Sequence, residues 1–399
     1  MLMYRVLHNC SRGRGVQHLW GLVASAYTAS AHTRSYAAIP ESLRPAFGFC
    51  VQQVRQYDYL NYVWVSQAPK DLRPALFALR AFNVETALVA DNVRSKEAVV
   101  GQIRFQWWRD AVKAAFEGRP PNHPVALALA HVLHTDRPEA AGAGAGASAS
   151  SSGDDSGADD DSRSGSAACG GGCGSSIHGA GAVSSSSETG GAGSRGGGPA
   201  SRYSRYSFKR IIDCREADFL DPQPPLDLQA LEQYAEGTAS QLMYLQLSAA
   251  GIKHRDADHA ASHLGRAAGL TTLLRGTPAH AAARRSYLPV DLCAEALVSQ
   301  EDVYSGVVSE GLRDVVHKVA SLAKGHLDEA RRLAPRLPPG AAGVMLPAVG
   351  AGRYLEALEA ANFDPFDGRL AREHGGAGEG SAPLSYVLAI KWHQLRGTY

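Results

Sequence analysis

Apolar and small residues recur every three or four positions through most of this chain, the spacing that puts them on one face of a helix. Leu72, Leu76, Leu79, Phe82, Thr86, Val89 and Val93 form one such series, and Val100, Ile103, Trp107, Ala111 and Ala115 form the next. Later series run through Leu228, Leu231, Ala235, Thr238, Leu242 and Leu245, and through Tyr386, Leu388, Ile390, Trp392 and Leu395. Alternating strand patterns are scarce, so the pattern predicts an all-α fold of helices packed around a central cavity. The last helix, 384–395, is expected to dock on the domain; a partner or a membrane surface is the other use its apolar positions allow.

Two stretches break the pattern. The first forty residues contain Arg5, Arg12, Arg14 and Arg34, many Ser, Ala and Thr, and no acid before Glu41. That is the profile of a mitochondrial or chloroplast transit peptide, with Thr33-Arg34-Ser35-Tyr36 suited to cleavage near Tyr36; a disordered basic tail is the other reading. Residues 139–201 are Gly, Ser and Ala with acids clustered at Asp154, Asp155, Asp159, Asp160 and Asp161. Such a segment buries too little apolar surface to offset its ordering entropy and is expected to be disordered.

Composition adds limits. With 45% apolar residues, 20% charged and a net charge of +1, the chain is ordinary globular material, and its balance argues against nucleic acid as a partner. No window approaches the roughly 20 apolar residues of a membrane-spanning helix. The six cysteines are scattered, which implies no disulfide framework, and Cys50 and Cys214 read as buried thiols in helices. Cys169, Cys173 and His178 lie in the low-complexity segment, with too few ligands for an ordered zinc centre. His259 and His263 stand i, i+4 on a helix opened by Asp256 and Asp258, but without the Glu of H-E-x-x-H they assign no metal, and no cofactor is expected.

The most informative stretch is 264–290, LGRAAGLTTLLRGTPAHAAARRSYLPV, which holds four arginines and no acid. It resembles the second pyrophosphate-binding helix of squalene and phytoene synthases, of the form N-[IL]-[LI]-R-D-x-x-E-D leading to Y-L-P. Read in register from Arg275 to Tyr287-Leu288-Pro289, the carboxylate positions fall on Gly276, Ala279 and His280. The partner motif, C-R-x-x-D-[DE]-x-x-D, matches 79–87, keeping Arg80 but placing Asn83 and Ala87 at the aspartate positions. In that family these carboxylates hold Mg²⁺ against a diphosphate, work that needs hard oxygen ligands. Asp91, four residues beyond Ala87, is a displaced ligand or a solvated acid; Glu85 points to another side of the helix.

Gln106-Trp107-Trp108-Arg109-Asp110 and Leu231 to Ala239 resemble two further family helices, so the likeness covers most of the chain outside its ends and the middle segment. Helices of this pattern flank 139–201, which is therefore an insert within one domain, 41–399. Closing the longer loop costs only about 0.6 kcal/mol per doubling. The small face Gly237, Thr238, Ala239 and Ser240 either lets helices approach closely or leaves room for a chain-like ligand.

The resemblance implies the isoprenoid-synthase fold. The runs 77–85, 257–270 and 284–293 are most similar to a branch of the family that assists the assembly of mitochondrial respiratory complex I and whose acidic motifs are also eroded. That branch implies a non-catalytic protein acting early in assembly, in the matrix and peripheral to the inner membrane, with complex I subunits or other assembly factors as partners. Two other readings stand beside it. One is a divergent prenyl transferase using Asp91, Asp256 or Asp258 as displaced metal ligands; the other is a carrier of isoprenoid or phospholipid. Arg80, Arg266, Arg275, Arg284 and Arg285 are expected to line or rim the old pyrophosphate mouth as an anion site, or to pair with local acids.

Overall fold

The computed structural model describes residues 39–93, 98–135, 201–370 and 384–399. The expected presequence and the Gly/Ser/Ala-rich insert, with Cys169, Cys173 and His178, lie outside these residues. All regular structure among the described residues is helical. The first half comprises α1 (Arg44–Tyr57), α2 (Tyr59–Gln67), α3 (Arg73–Ala87), the short α4 (Val89–Asn92), α5 (Ala98–Phe116) and α6 (Pro124–Thr135). Prolines in the first turns of α1 and α3 cost no hydrogen bond there and preset the helical φ.

After the insert come α7 (Arg205–Leu220), α8 (Leu228–Ala235), α9 (Gln241–Ala249), α10 (Arg255–Arg275) and α11 (Thr277–Ala282). The remainder is α12 (Val290–Glu295), α13 (Gln300–Tyr304), α14 (Glu310–Arg332), α15 (Ala341–Val344), α16 (Pro347–Ala360) and α17 (Leu384–Arg396). Side-chain caps fix several starts: Ser204 accepts from the Ser207 amide, Asp227 from the Ala230 amide, and Ser309 from the Leu312 amide.

Two buried clusters form the core. One gathers α1 to α3, α5, α6 and the start of α7 around Trp64, Phe82, Phe105 and Phe208; the other gathers α10, α14 and α16 around Leu264, Leu270, Val316 and Tyr354. Helix α9 serves both, giving Leu242, Leu245 and Ala249 to the first cluster and Met243 and Leu247 to the second.

Two details depart from the plain periodic reading. The series from Leu72 to Val93 is two helices, because the chain turns at Leu88 between α3 and α4. The series from Leu228 to Leu245 is interrupted by a π turn, Glu236–Ser240. Close packing surrounds this turn. A Cβ on Gly237 would stand 2.3 Å from the Cys214 sulfur, and one on Gly265 of α10 would stand 2.3 Å from the Ser240 Cα. Half of the small face, Gly237 and Ser240, is thus used to bring helices together, while Thr238 and Ala239 turn to the space beside it.

Candidate ligand-binding cavity

That space is a cavity of about 530 Å³ enclosed mainly by α3, α7, the π turn and α10, with Tyr386 of α17 in its wall. Asn83, Ala87 and Asp91 line it on one side, and Arg275, Ala279 and His280 line it on the other. The two degenerate motifs therefore face a common space.

Arg80 is buried near the floor. Its Nη1 lies 3.3 Å from Asp58 Oδ2, its Nε donates to Gln246 Oε1 at 3.2 Å, and its guanidinium lies 5.7 Å from the Trp64 ring centroid. Asp58 also accepts from Asn61 Nδ2 at 2.6 Å, and Asn61 accepts from the Trp64 indole at 2.8 Å. Arg80, Asp58, Asn61 and the Trp64 indole are thus linked in one series of hydrogen bonds, which is what makes such a network tolerable in a core.

Two further groups come from α7, in the run Cys214-Arg215-Glu216-Ala217-Asp218, where the sequence carried no flagged motif. Arg215 reaches α3, donating from Nη2 to Asn83 Oδ1 at 2.7 Å and from Nη1 to the Asn83 carbonyl at 2.6 Å, and contacting the Thr86 hydroxyl. Asp218 accepts from Arg285 Nη2 at 2.9 Å on one carboxylate oxygen and from the Tyr287 hydroxyl at 2.8 Å on the other. Tyr287 packs on Tyr234 and His280, with ring centroids 5.9 Å and 4.7 Å away. Burial, helped by the neighbouring Arg285 charge, holds the His280 imidazole down to about 4, so the ring is neutral; burial pushes the Tyr234 phenol up to about 12. The i, i+3 spacing of Arg215 and Asp218, which aims both at one side of α7, was the signal available in the sequence.

Of the five expected anion-site arginines, Arg80, Arg275 and Arg285 line the cavity. The other two take the alternative of pairing with local acids. Arg266 is tied to Glu232 at 3.2 Å and Glu236 at 3.1 Å, acids one helical turn apart on α8 and the π turn. Arg284 is exposed in a left-handed backbone conformation and pairs with Glu301 at 2.7 Å while covering the Tyr304 ring. Among the described residues Arg275 has no acid within pairing distance.

The chain does not fit the metal that the resemblance implies. Asn83 offers one amide oxygen, already engaged by Arg215, while Ala87, Gly276 and Ala279 offer none. Among the described residues no group of three or more His, Cys, Asp or Glu could hold a metal ion. Asp91 is exposed at the cavity edge, and Glu85 points away toward Arg104, Trp107 and Trp108. Asp256 and Asp258 open α10, about 25 to 28 Å of helix from Arg275, too far to serve as displaced ligands. His259, His263 and His326 form a row across α10 and α14, with His263 nitrogens 3.2 Å and 2.9 Å from its two neighbours. Both nitrogens of His263 thus meet another imidazole, and the three do not converge on one point.

Comparison with known proteins agrees with this geometry. The squalene/phytoene synthase family model matches residues 54–142 and 199–374. The chain belongs to the squalene/phytoene synthase family. Within it, the chain is 32% identical over 368 residues to NADH dehydrogenase (ubiquinone) complex I, assembly factor 6 of Rattus norvegicus, covering 91% of this chain and 89% of that one. It is also 32% identical over 326 residues to the Bos taurus protein of the same name, covering 82% of this chain and 78% of the relative. A dehydrosqualene synthase crystallised with a ligand shares the fold, with a TM-score of 0.60 at 15% identity, covering 88% of this chain and 97% of the synthase.

Proposed function

We propose that this member of the squalene/phytoene synthase family acts, without catalysis, in the assembly of mitochondrial respiratory complex I. The observation that carries this reading is the 32% identity, sustained over 91% of the chain, to a relative named for that assembly. The site chemistry supports it: the positions that would hold Mg²⁺ carry Asn83, Ala87, Gly276 and Ala279, and ionising a diphosphate needs metal charge as well as arginines. A divergent prenyl transferase would need ligands that the cavity does not supply.

The working compartment in this reading is the matrix face of the inner membrane, reached through a presequence within residues 1–40, whose acid-free, arginine-bearing composition supports it. Its partners are complex I subunits or other assembly factors. No described helix is long and apolar enough to cross a membrane. Peripheral contact is supported by α17, which buries Tyr386 and Ile390 but exposes Leu384, Leu388, Trp392 and Leu395 along one stripe. Lys391, His393 and Arg396 flank that stripe and α17 contains no acid, a composition suited to anionic lipid.

The test is a native-gel profile of respiratory complexes, stained for NADH dehydrogenase activity, in cells lacking the protein and in cells rescued with it. Selective loss of complex I that the gene restores supports the reading; normal complex I without the protein overturns it. A second reading, a lipid or isoprenoid carrier, is favoured by the cavity itself, whose apolar walls include Leu242, Met243 and Phe105. Lipid retained through purification would support it.

A further inference from the structure

The site has lost its acids yet keeps its cations, and how those cations are partnered decides what it can bind. Asp58 is taken by Arg80, and Asp218 is taken on both oxygens by Arg285 and Tyr287. Arg215 meets neutral acceptors, the Asn83 carbonyl and side-chain oxygens and the Thr86 hydroxyl on α3 and the Tyr234 hydroxyl on α8, and no described carboxylate is within ion-pair distance of it, although Asp218 attracts it from further off. Arg275, across the cavity, is likewise without an acid. The wall therefore carries two positive charges with no described carboxylate in contact, offset at longer range by Asp218, already bound to Arg285 and Tyr287, and by Asp91 at the exposed edge.

The position of Arg215 is specific. It engages Asn83, the residue at which the family resemblance places a metal-binding aspartate, and it engages that residue through the very oxygen a metal would use. We propose that Arg215 is a built-in counter-cation standing in place of the divalent metal, so that the cavity takes a phosphate-bearing ligand without any metal. A guanidinium keeps its proton even where burial works against the charge, as it does here, and of its five donors four meet Asn83, Thr86 and Tyr234, which leaves one for a ligand. With the apolar walls beyond, the fitting ligand is a phosphorylated amphiphile whose head group sits between Arg215 and Arg275. The inference does not depend on the assembly role, since it concerns only what the purified chain binds.

The experiment is thermal unfolding of the full chain with either inorganic pyrophosphate or a water-soluble short-chain phosphatidic acid, each in EDTA and in excess Mg²⁺. A rise in Tm on the order of 3 °C or more in EDTA, no larger with Mg²⁺, is the expected result. Arg215→Gln should abolish it. Arg284→Gln, at the exposed pair with Glu301, should leave it intact. If Arg215→Gln does not fold, Arg275→Gln serves instead, because that side chain holds no described partner in place and its loss should still weaken the response. A shift with pyrophosphate alone points to free phosphates as ligands, and a larger shift with phosphatidic acid points to a lipid; both support the proposal. Stabilisation that needs Mg²⁺, no stabilisation by either probe, an unchanged response in Arg215→Gln, or a response equally lost in Arg284→Gln overturns it.

Discussion

The Tyr287 hydroxyl donates to Asp218 Oδ2 at 2.8 Å, joining the end of the basic turn after α11 to the inner face of α7, 69 residues earlier in the chain. Arg285 holds the other oxygen of the same carboxylate. The family's Y-L-P end is thus tied down by an acid rather than left to rim an anion site. Asp218→Ala should lower stability by about 2 kcal/mol, since it strands a half-buried guanidinium and a buried hydroxyl together. Tyr287→Phe, which removes one hydrogen bond and keeps the ring packing, should cost about 1 kcal/mol. Urea unfolding measures both, and equal costs would show that the carboxylate matters only through Tyr287.

Arg80 and Asp58 form a more enclosed pair, with side chains only 7% and 14% exposed. Removing either partner alone leaves a buried charge, so Arg80→Met and Asp58→Asn should each cost about 3 kcal/mol. The double substitution should cost clearly less than their sum, because it leaves neither charge behind. A strictly additive double-mutant cycle would mean that the two do not interact.

Much of this was legible in the sequence. The three- and four-residue periodicity marks nearly every long helix, and the register from Arg80 and from Arg275 brings Asn83, Ala87, Ala279 and His280 to one cavity. The break at Leu88 and the π turn at Glu236–Ser240 were not legible, because both are settled by what packs against them rather than by their own propensities. The arginines divided for a similar reason. Arg266 and Arg284 find Glu232, Glu236 and Glu301, acids 17 to 34 positions away along the chain whose proximity only the fold creates. Arg215 and Asp218 were missed because they belong to no acidic motif, and their role comes from what α7 faces, α3 for Arg215 and the turn after α11 for Asp218.

His280 gives the fold a pH dependence. Folded, its ring takes up a proton near pH 4, whereas the unfolded chain does so near 6.5. Between these values the unfolded state binds more protons, so stability is full above about pH 6.5 and falls as pH drops toward 4. At pH 5 the loss from this group is about 2 kcal/mol. Urea unfolding at pH 7 and pH 5 should show that His280→Gln loses less on acidification than the unsubstituted protein. An identical loss in both would assign the effect to other histidines.

Leu388 and Trp392 are exposed on α17, while Tyr386 and Ile390 hold the helix to the domain. Leu388→Ser with Trp392→Ser should therefore leave the Tm within about 2 °C of its original value, since solvated side chains contribute little to packing. Co-sedimentation with anionic vesicles should fall sharply, and salt should weaken what remains. Unchanged binding to vesicles would remove α17 as the membrane contact.

The π turn has a consequence for how this chain tolerates change in length. An extra residue per turn there sets the angle at which α9 leaves, and each helical residue rotates the following side chains by about 100°. Deleting one residue between Glu236 and Ser240 would let the turn close as a regular α-helix, whereas adding one more would swing Leu242, Leu245 and Ala249 off the first core and drag Met243 and Leu247 off the second. A surface loop absorbs gains and losses of sequence with little effect. Five small or polar residues in the middle of this molecule act instead as its frame of reference, and a single-codon insertion among them would undo both cores at once.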